Sequence, residues 1–212
     1  MNIPRPELVI HRVNERARLA DIPRHFGAEI DLRAEGSKLV LNHDPFKGGE
    51  YFTDWLDGYQ HGLLVLNIKE AGIEAEVIRL VEARGIKRFF LLDVEFPYIY
   101  RASRAGERRI AMRYSEDEAI ETVLNYHTKI DWVWIDSNTR LPLDHKTVAA
   151  LQGFSTCLVC PERWGRPADI PAYAAQMRKL SFQPSAVMTA LSHATTWMNA
   201  LAAPVTTESI AT

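Results

Sequence analysis

The chain reads as an α/β protein, a single-domain (β/α)8 TIM barrel. Three observations carry that expectation. Eight short apolar runs are spread along the sequence, segments of helical period stand between most of them, and 212 residues are enough for one such domain. An open doubly wound sheet, which needs fewer strands, is the other arrangement of the same pattern.

In chain order the strands are LVI at 8–10, AEIDL at 28–32, LLVLNI at 63–68, RFFLL at 88–92, RIAM at 109–112, DWVWI at 131–135, TCLV at 156–159 and SAVM at 185–188. Most are compact runs of aliphatic, β-branched or aromatic residues, the pattern of strands buried on both faces. A Gly36-Ser37 turn after the second run brings the chain back through KLVLN. The connecting segments are for the most part amphipathic enough to be crossover helices. They are NERARLADIPRHF at 14–26, YFTDWLDGYQ at 51–60, IEAEVIRLVEARG at 73–85, EFPYIYRASRAG at 95–106, SEDEAIETVLNYH at 115–127, DHKTVAALQG at 144–153, DIPAYAAQMRKL at 169–180 and TALSHATTWMNALAA at 189–203. Ser115 with Glu118 three positions on predicts a capping box, and Gly85 and Gly153 follow helical runs as stops. One domain over 1–203 is expected, with 204–212 a flexible tail.

Composition narrows the function. Hydrophobic residues make up 47% and charged ones 25%, with a net charge of −2, a balance that gives no reason to expect nucleic acid. The first residues lack a secretory pattern and no run approaches the roughly 20 apolar residues of a membrane span. Cysteine occurs only in CLVC, at Cys157 and Cys160, so no disulfide framework is implied and a cytoplasmic setting is the expectation. Positions three apart on a strand point to opposite faces, which argues against a shared metal or redox role for the pair. Glycine-rich phosphate loops, the G-x-S-x-G elbow and H-E-x-x-H are all missing, which argues against nucleotide triphosphatases, dinucleotide enzymes, serine hydrolases and zincins.

In a barrel, chemistry gathers where strands end. The strand ends here carry His11 and Arg12, Glu29 and Asp31, Asn67 and Lys69, Asp93, Arg113, Asp136, and Glu162 with Arg163. Glu29 and Asp31, two apart, put both carboxylates on one side of a strand. Their repulsion is relieved either by a hard divalent cation, Mg²⁺ or Ca²⁺, or by ion pairs to Arg12 and Lys69. His11 and His43 flank the acids from separate backbone elements, and imidazole can give or take a proton near neutral pH. Trp164, in PERWGRP, belongs to a loop expected over the mouth, where Arg163 or Arg166 could meet an anion. The other tryptophans read as packing residues.

The ordered set LVIHR, FGAEID, NHD and LNIK resembles the glycerophosphodiester phosphodiesterase family, within the phospholipase-C-like phosphodiesterase barrels. His43 falls 12 positions after Asp31, which suits that layout. The likeness covers the first third well; beyond Lys69 it is mainly barrel periodicity. It implies His11 and His43 as an acid–base pair, Glu29, Asp31 and Asn67 at the divalent metal, and Arg12 and Lys69 on phosphate; Arg113 at its strand end and Trp164 on its loop are expected, apart from the resemblance, as further substrate contacts. Two positions depart from the family: Val13 stands where a glycine follows His-Arg, and Asn67 where the third metal-binding glutamate stands. The resemblance implies hydrolysis of a small soluble phosphodiester. The alternative is a barrel of the same kind, impaired in turnover, that binds a phosphorylated ligand. A metal-dependent sugar isomerase or aldolase would spread more acids over the later strands.

Overall fold

The computed structural model describes residues 5–203, so the tail expected over 204–212 lies outside the described residues. All eight expected strands form: β1 (Glu7–Ile10), β2 (Gly27–Glu35), β5 (Leu64–Ile68), β6 (Phe89–Leu92), β7 (Ala111–Tyr114), β8 (Trp132–Ile135), β9 (Ser155–Val159) and β10 (Ala186–Thr189). Two further short strands, β3 (Lys38–Leu41) and β4 (Glu50–Tyr51), extend β2 as an antiparallel flap. Helices α1 (Phe52–Leu56), α2 (Glu74–Ala83), α3 (Phe96–Arg104), α4 (Ile120–Leu124), α5 (His145–Ala150), α6 (Ile170–Lys179) and α7 (Ala194–Ala202) fill most of the connections.

The eight strands pair in parallel in the order β6-β5-β2-β1-β10-β9-β8-β7, giving a curled sheet. Its two ends meet only at the Leu91–Ile110 bridge, where the Leu91 N–H donates to Arg109 O at 2.8 Å. A continuous ladder around a barrel, as the sequence predicts, is therefore replaced at this seam by a single contact. The cause is local. The Ile110 N–H turns back to Arg108 O at 2.8 Å and the Arg109 N–H to the Glu107 side chain at 2.9 Å, so these amides are withheld from β6 and the strand begins at Ala111.

Side chains alternate across the curl. Val9, Val65, Phe90, Trp134, Cys157 and Met188 pack together on the inner face, with Trp132 beside them, while Leu8, Ile10, Ile30, Leu66 and Leu158 join the larger core beneath the helices. Cys157 and Cys160 fall in different clusters, as their spacing predicts. Two local expectations give way. Residues 14–26 form only one 3₁₀ turn, Arg16–Asp21. α4 is five residues long and starts after Ala119; the Ser115 hydroxyl instead accepts the Asp117 N–H at 3.2 Å, and the capping box lies at Asp144 and Thr147 of α5. No helix among the described residues is long and apolar enough to cross a membrane.

Candidate active site

The site forms where β1, β2 and β5 end side by side. Pairing sets Glu29 beside Val65 and Asp31 beside Asn67, so the two acids and the amide share the inner face, and all three are buried. After β1 the chain turns through Arg12 in the left-handed region (φ 54°), which aims its backbone N–H at Glu29 Oε2, 2.8 Å away. Val13, at the glycine position of the family pattern, is fully buried, and its carbonyl accepts the Trp55 indole N–H at 2.8 Å. The hydrophobic contact and the strained φ are thus divided between neighbouring residues.

The acids are not left to repel each other. The Asn67 amide donates to Glu29 Oε1 at 2.9 Å, Lys69 Nζ lies 3.3 Å from Asp31 Oδ1, and Arg12 Nε lies 3.9 Å from Asp31 Oδ2. Asn14, which no motif singled out, clasps Asp31 twice: its Nδ2 donates to Oδ2, and its Oδ1 accepts the Asp31 N–H, both at 2.9 Å. Burial and then the Asp31 charge push the Glu29 carboxyl upward, against the hydrogen bonds from Asn67 and Arg12.

His11 Nε2 stands 3.8 Å from Glu29 Oε2 and 2.9 Å from the Arg163 guanidinium. Burial first, then the Arg163, Arg12 and Lys69 charges, hold its pKa down to about 3, so the ring is neutral. Arginine can only donate, so Nε2 is the accepting nitrogen and the proton sits on Nδ1. His43 arrives by way of the β2–β3 hairpin, whose Gly36 takes φ 60° at the turn. Its Nδ1 is 3.0 Å from Asp44 Oδ1, and its carbonyl accepts from Arg33 at 2.8 Å. Arg33 also donates to Lys69 O at 3.3 Å, tying the two loops together. The His43 charge is among those that depress His11, which places it within electrostatic reach.

A cavity of about 430 Å³ opens above these residues, lined among others by His11, Glu29, Asn67, Lys69, Arg113 and Trp164. Asp31, Arg12 and His43 are not among its lining residues; Asp31 is buried, and the His43 side chain is partly exposed. Arg113 reaches the cavity with its guanidinium spanning Asp93, at 2.7 Å, and Asp136. Asp93 also faces Lys69 at 3.4 Å, so one chain of charges runs from Asp31 to Asp136. Glu162 points elsewhere, toward the Thr189 hydroxyl and the Trp197 indole. Neither Asp93 nor Glu162 is available to replace the glutamate that Asn67 stands for.

Among the described residues, no group of three or more His, Cys, Asp or Glu side chains is placed to hold a metal. A set of two carboxylates and one amide still fits a hard cation, because the buried Asn67 Oδ1 has no donor and the buried Asp31 Oδ1 has only the Lys69 ammonium beside it, without a hydrogen bond. Hard oxygen acceptors left in that state are what an ion of this class seeks.

A curled parallel sheet carries acids, histidines and cations at its strand ends. Solved structures of that kind match the chain. An Agrobacterium tumefaciens protein assigned as a glycerophosphoryl diester phosphodiesterase superposes with a TM-score of 0.65 at 12% identity, covering 92% of this chain and 98% of its own. A glycerophosphoryl diester phosphodiesterase from Parabacteroides distasonis superposes with a TM-score of 0.61 at 10% identity, covering 90% and 84%. No family model matches the chain, and no curated protein does. The fold is therefore shared with phosphodiesterases of the family that the four motifs resemble.

Proposed function

We propose that the protein is a phosphodiester hydrolase that works by acid–base catalysis from His11 and His43. The observation that carries this reading is the His11 imidazole, its Nε2 3.8 Å from Glu29 and 2.9 Å from Arg163, in a 430 Å³ cavity that Lys69 also lines. That volume suits a small diester.

His11 is the base. Its accepting Nε2 faces the cavity wall shared with Arg163 and takes the proton of the attacking hydroxyl, from water or from the substrate itself. His43 is the acid. Its Nδ1–H donates to Asp44, which accepts only, leaving the far nitrogen of the protonated ring to give its proton to the departing alkoxide. Each transfer contributes about 10²–10⁴-fold. Lys69 and Arg12 keep the floor near neutrality so that a phosphate anion can approach Glu29 and Asp31. A divalent ion, Mg²⁺ or Ca²⁺, held by Glu29, Asp31 and Asn67, would offset phosphate charge. The closed eight-stranded barrel belongs to the same reading: the Leu91–Ile110 contact is where it would shut.

Bis-p-nitrophenyl phosphate with Mg²⁺, Mn²⁺ or Ca²⁺ supplies the test. Turnover is expected, falling at least 100-fold in His11→Ala and in His43→Ala, following the size of one proton transfer. Turnover that survives both substitutions sinks the mechanism. A second reading, ligand binding with turnover lost, is favoured by one observation: the Asn67 N–H is turned toward Glu29, where a ligating glutamate would carry charge. Tight phosphodiester binding without hydrolysis under any metal supports it.

A further inference from the structure

We propose that Arg163 is the residue that grips the substrate phosphate, and that it does so by exchanging its hydrogen bond with His11 for bonds to the phosphate oxygens. The proposal rests on the phosphodiesterase reading for its substrate, but its geometry stands alone. Three cations line the cavity: Lys69, Arg113 and Arg163. Lys69 lies between Asp31 and Asp93, and Arg113 spans Asp93 and Asp136. Arg163 alone has no carboxylate partner among the described residues; its guanidinium donates to the His11 Nε2 at 2.9 Å and lies 5.7 Å from the centre of the exposed Trp164 ring.

The backbone that presents it is fixed. Pro161–Trp164 is a 3₁₀ turn closed by Gly165 at φ 74°, with the Arg166 N–H bonded to Pro161 O at 3.1 Å. Glu162 is anchored between the Thr189 hydroxyl and the Trp197 indole. Arg166 is spent on structure, donating to Asp169, Tyr173 and the carbonyls of Ser137 and Asn138. The turn therefore holds one uncommitted guanidinium over the histidine.

The nitrogen of His11 that accepts from Arg163 offers it a single acceptor with no formal negative charge. A phosphate anion offers the guanidinium two oxygens in a bidentate fork and a full negative charge, neither of which the imidazole supplies. Arrival of the diester draws Arg163 off Nε2, and the lone pair needed to accept the nucleophile's proton is released in the same movement. Substrate binding and uncovering of the base are then a single event.

The test titrates inorganic phosphate into the wild-type protein, Arg163→Ala and Arg163→Lys by calorimetry, while following the His11 imidazole nitrogens by NMR. Affinity is expected to fall about 10- to 100-fold in Arg163→Ala, the size of one lost charged hydrogen bond, with Arg163→Lys between. The His11 Nε2 signal should move on phosphate addition in the wild type and start from the released position in Arg163→Ala. Equal affinities, no phosphate binding by the wild type, or an Nε2 signal indifferent to phosphate would each overturn the proposal. With bis-p-nitrophenyl phosphate, KM should rise while kcat stays within about threefold; a fall in kcat at constant KM would instead make Arg163 a positioning residue for His11. Phosphate binding that depends on Arg163 without any turnover would sink the hydrolase reading and leave this one standing. Hydrolysis with phosphate affinity indifferent to Arg163 does the reverse.

Discussion

Asn67 decides how the acidic pair is balanced. A glutamate there would bring a third carboxylate against Glu29 and Asp31; the amide instead donates to Glu29 and leaves its own carbonyl oxygen without a donor. Protein cations already offset the two remaining charges, since Lys69 and Arg12 both face Asp31. Asn67→Glu is therefore expected to behave in two directions. Without divalent ions its melting temperature falls below that of the wild type, because a further buried carboxylate has no cation of its own. With Ca²⁺ or Mg²⁺ it rises above it, and calorimetry shows tighter binding of the ion. If added Ca²⁺ and Mg²⁺ leave the variant as unstable as it was, Asn67 does not stand at a cation site.

At the scale of elements, the rim loops are held by side chains that reach back into them. Glu116, just after β7, accepts the backbone N–H groups of Asn138 (3.2 Å), Thr139 (2.8 Å) and Arg140 (2.8 Å) and the Thr139 hydroxyl. Burial alone would raise its pKa, but these donors outweigh it and hold the carboxyl at about 2 rather than 4.5. The sign follows: the contribution is present in full above about pH 4.5 and is lost as pH falls toward 2, because protonation is then possible in the unfolded chain before the folded one. Urea unfolding should show Glu116→Gln destabilised by about 0.5–1 kcal/mol at pH 7, a difference trimmed by solvent screening, with the gap to wild type closing below pH 4. A gap that stays constant down to pH 2 would show that the charge does not hold the loop. Asn138 lines the cavity, so the same variant should loosen that rim.

Elements of this kind also mark how much the sequence discloses. The strands were legible because burial on both faces demands continuous apolar runs: all eight form, with β7 displaced two residues beyond RIAM. The His-Arg, Glu-x-Asp and His-Asp groups were legible because fixed spacing on short elements dictates their neighbours. What could not be read depends on contacts between distant residues. Asn14 clasps Asp31 across 17 positions, and Arg163 meets His11 across 152. α4 shrank because the Ser115 side chain found a nearer partner, in the Asp117 amide, than the helix start it was expected to cap.

For the whole molecule the weak point is the join between β6 and β7, and side chains take over there from the missing ladder. Arg113 leaves β7 to bond Asp93 beyond β6 and Asp136 beyond β8, while Lys69 continues the chain of charges from Asp93 back to Asp31. Asp93 holds the left-handed backbone region (φ 60°) to do so, a conformation few residues other than glycine, asparagine and aspartate adopt cheaply. Burial raises the Asp136 carboxyl against the pull of Arg113, so removing the guanidinium leaves Asp136 without a cation and Asp93 with Lys69 alone. Arg113→Met, which keeps much of the side-chain volume, should cost about 1–3 kcal/mol in urea unfolding, less than a fully buried pair because the guanidinium is partly solvated. Hydrogen exchange should separate this from a general loss of packing: amides of β6 and β7 near Leu91 and Arg113 should exchange faster, while those of β1 and β10, joined by a full ladder, keep their protection. Uniform acceleration across all strands would mean that the seam is not an independent unit and that the charge chain stabilises the sheet only as a whole.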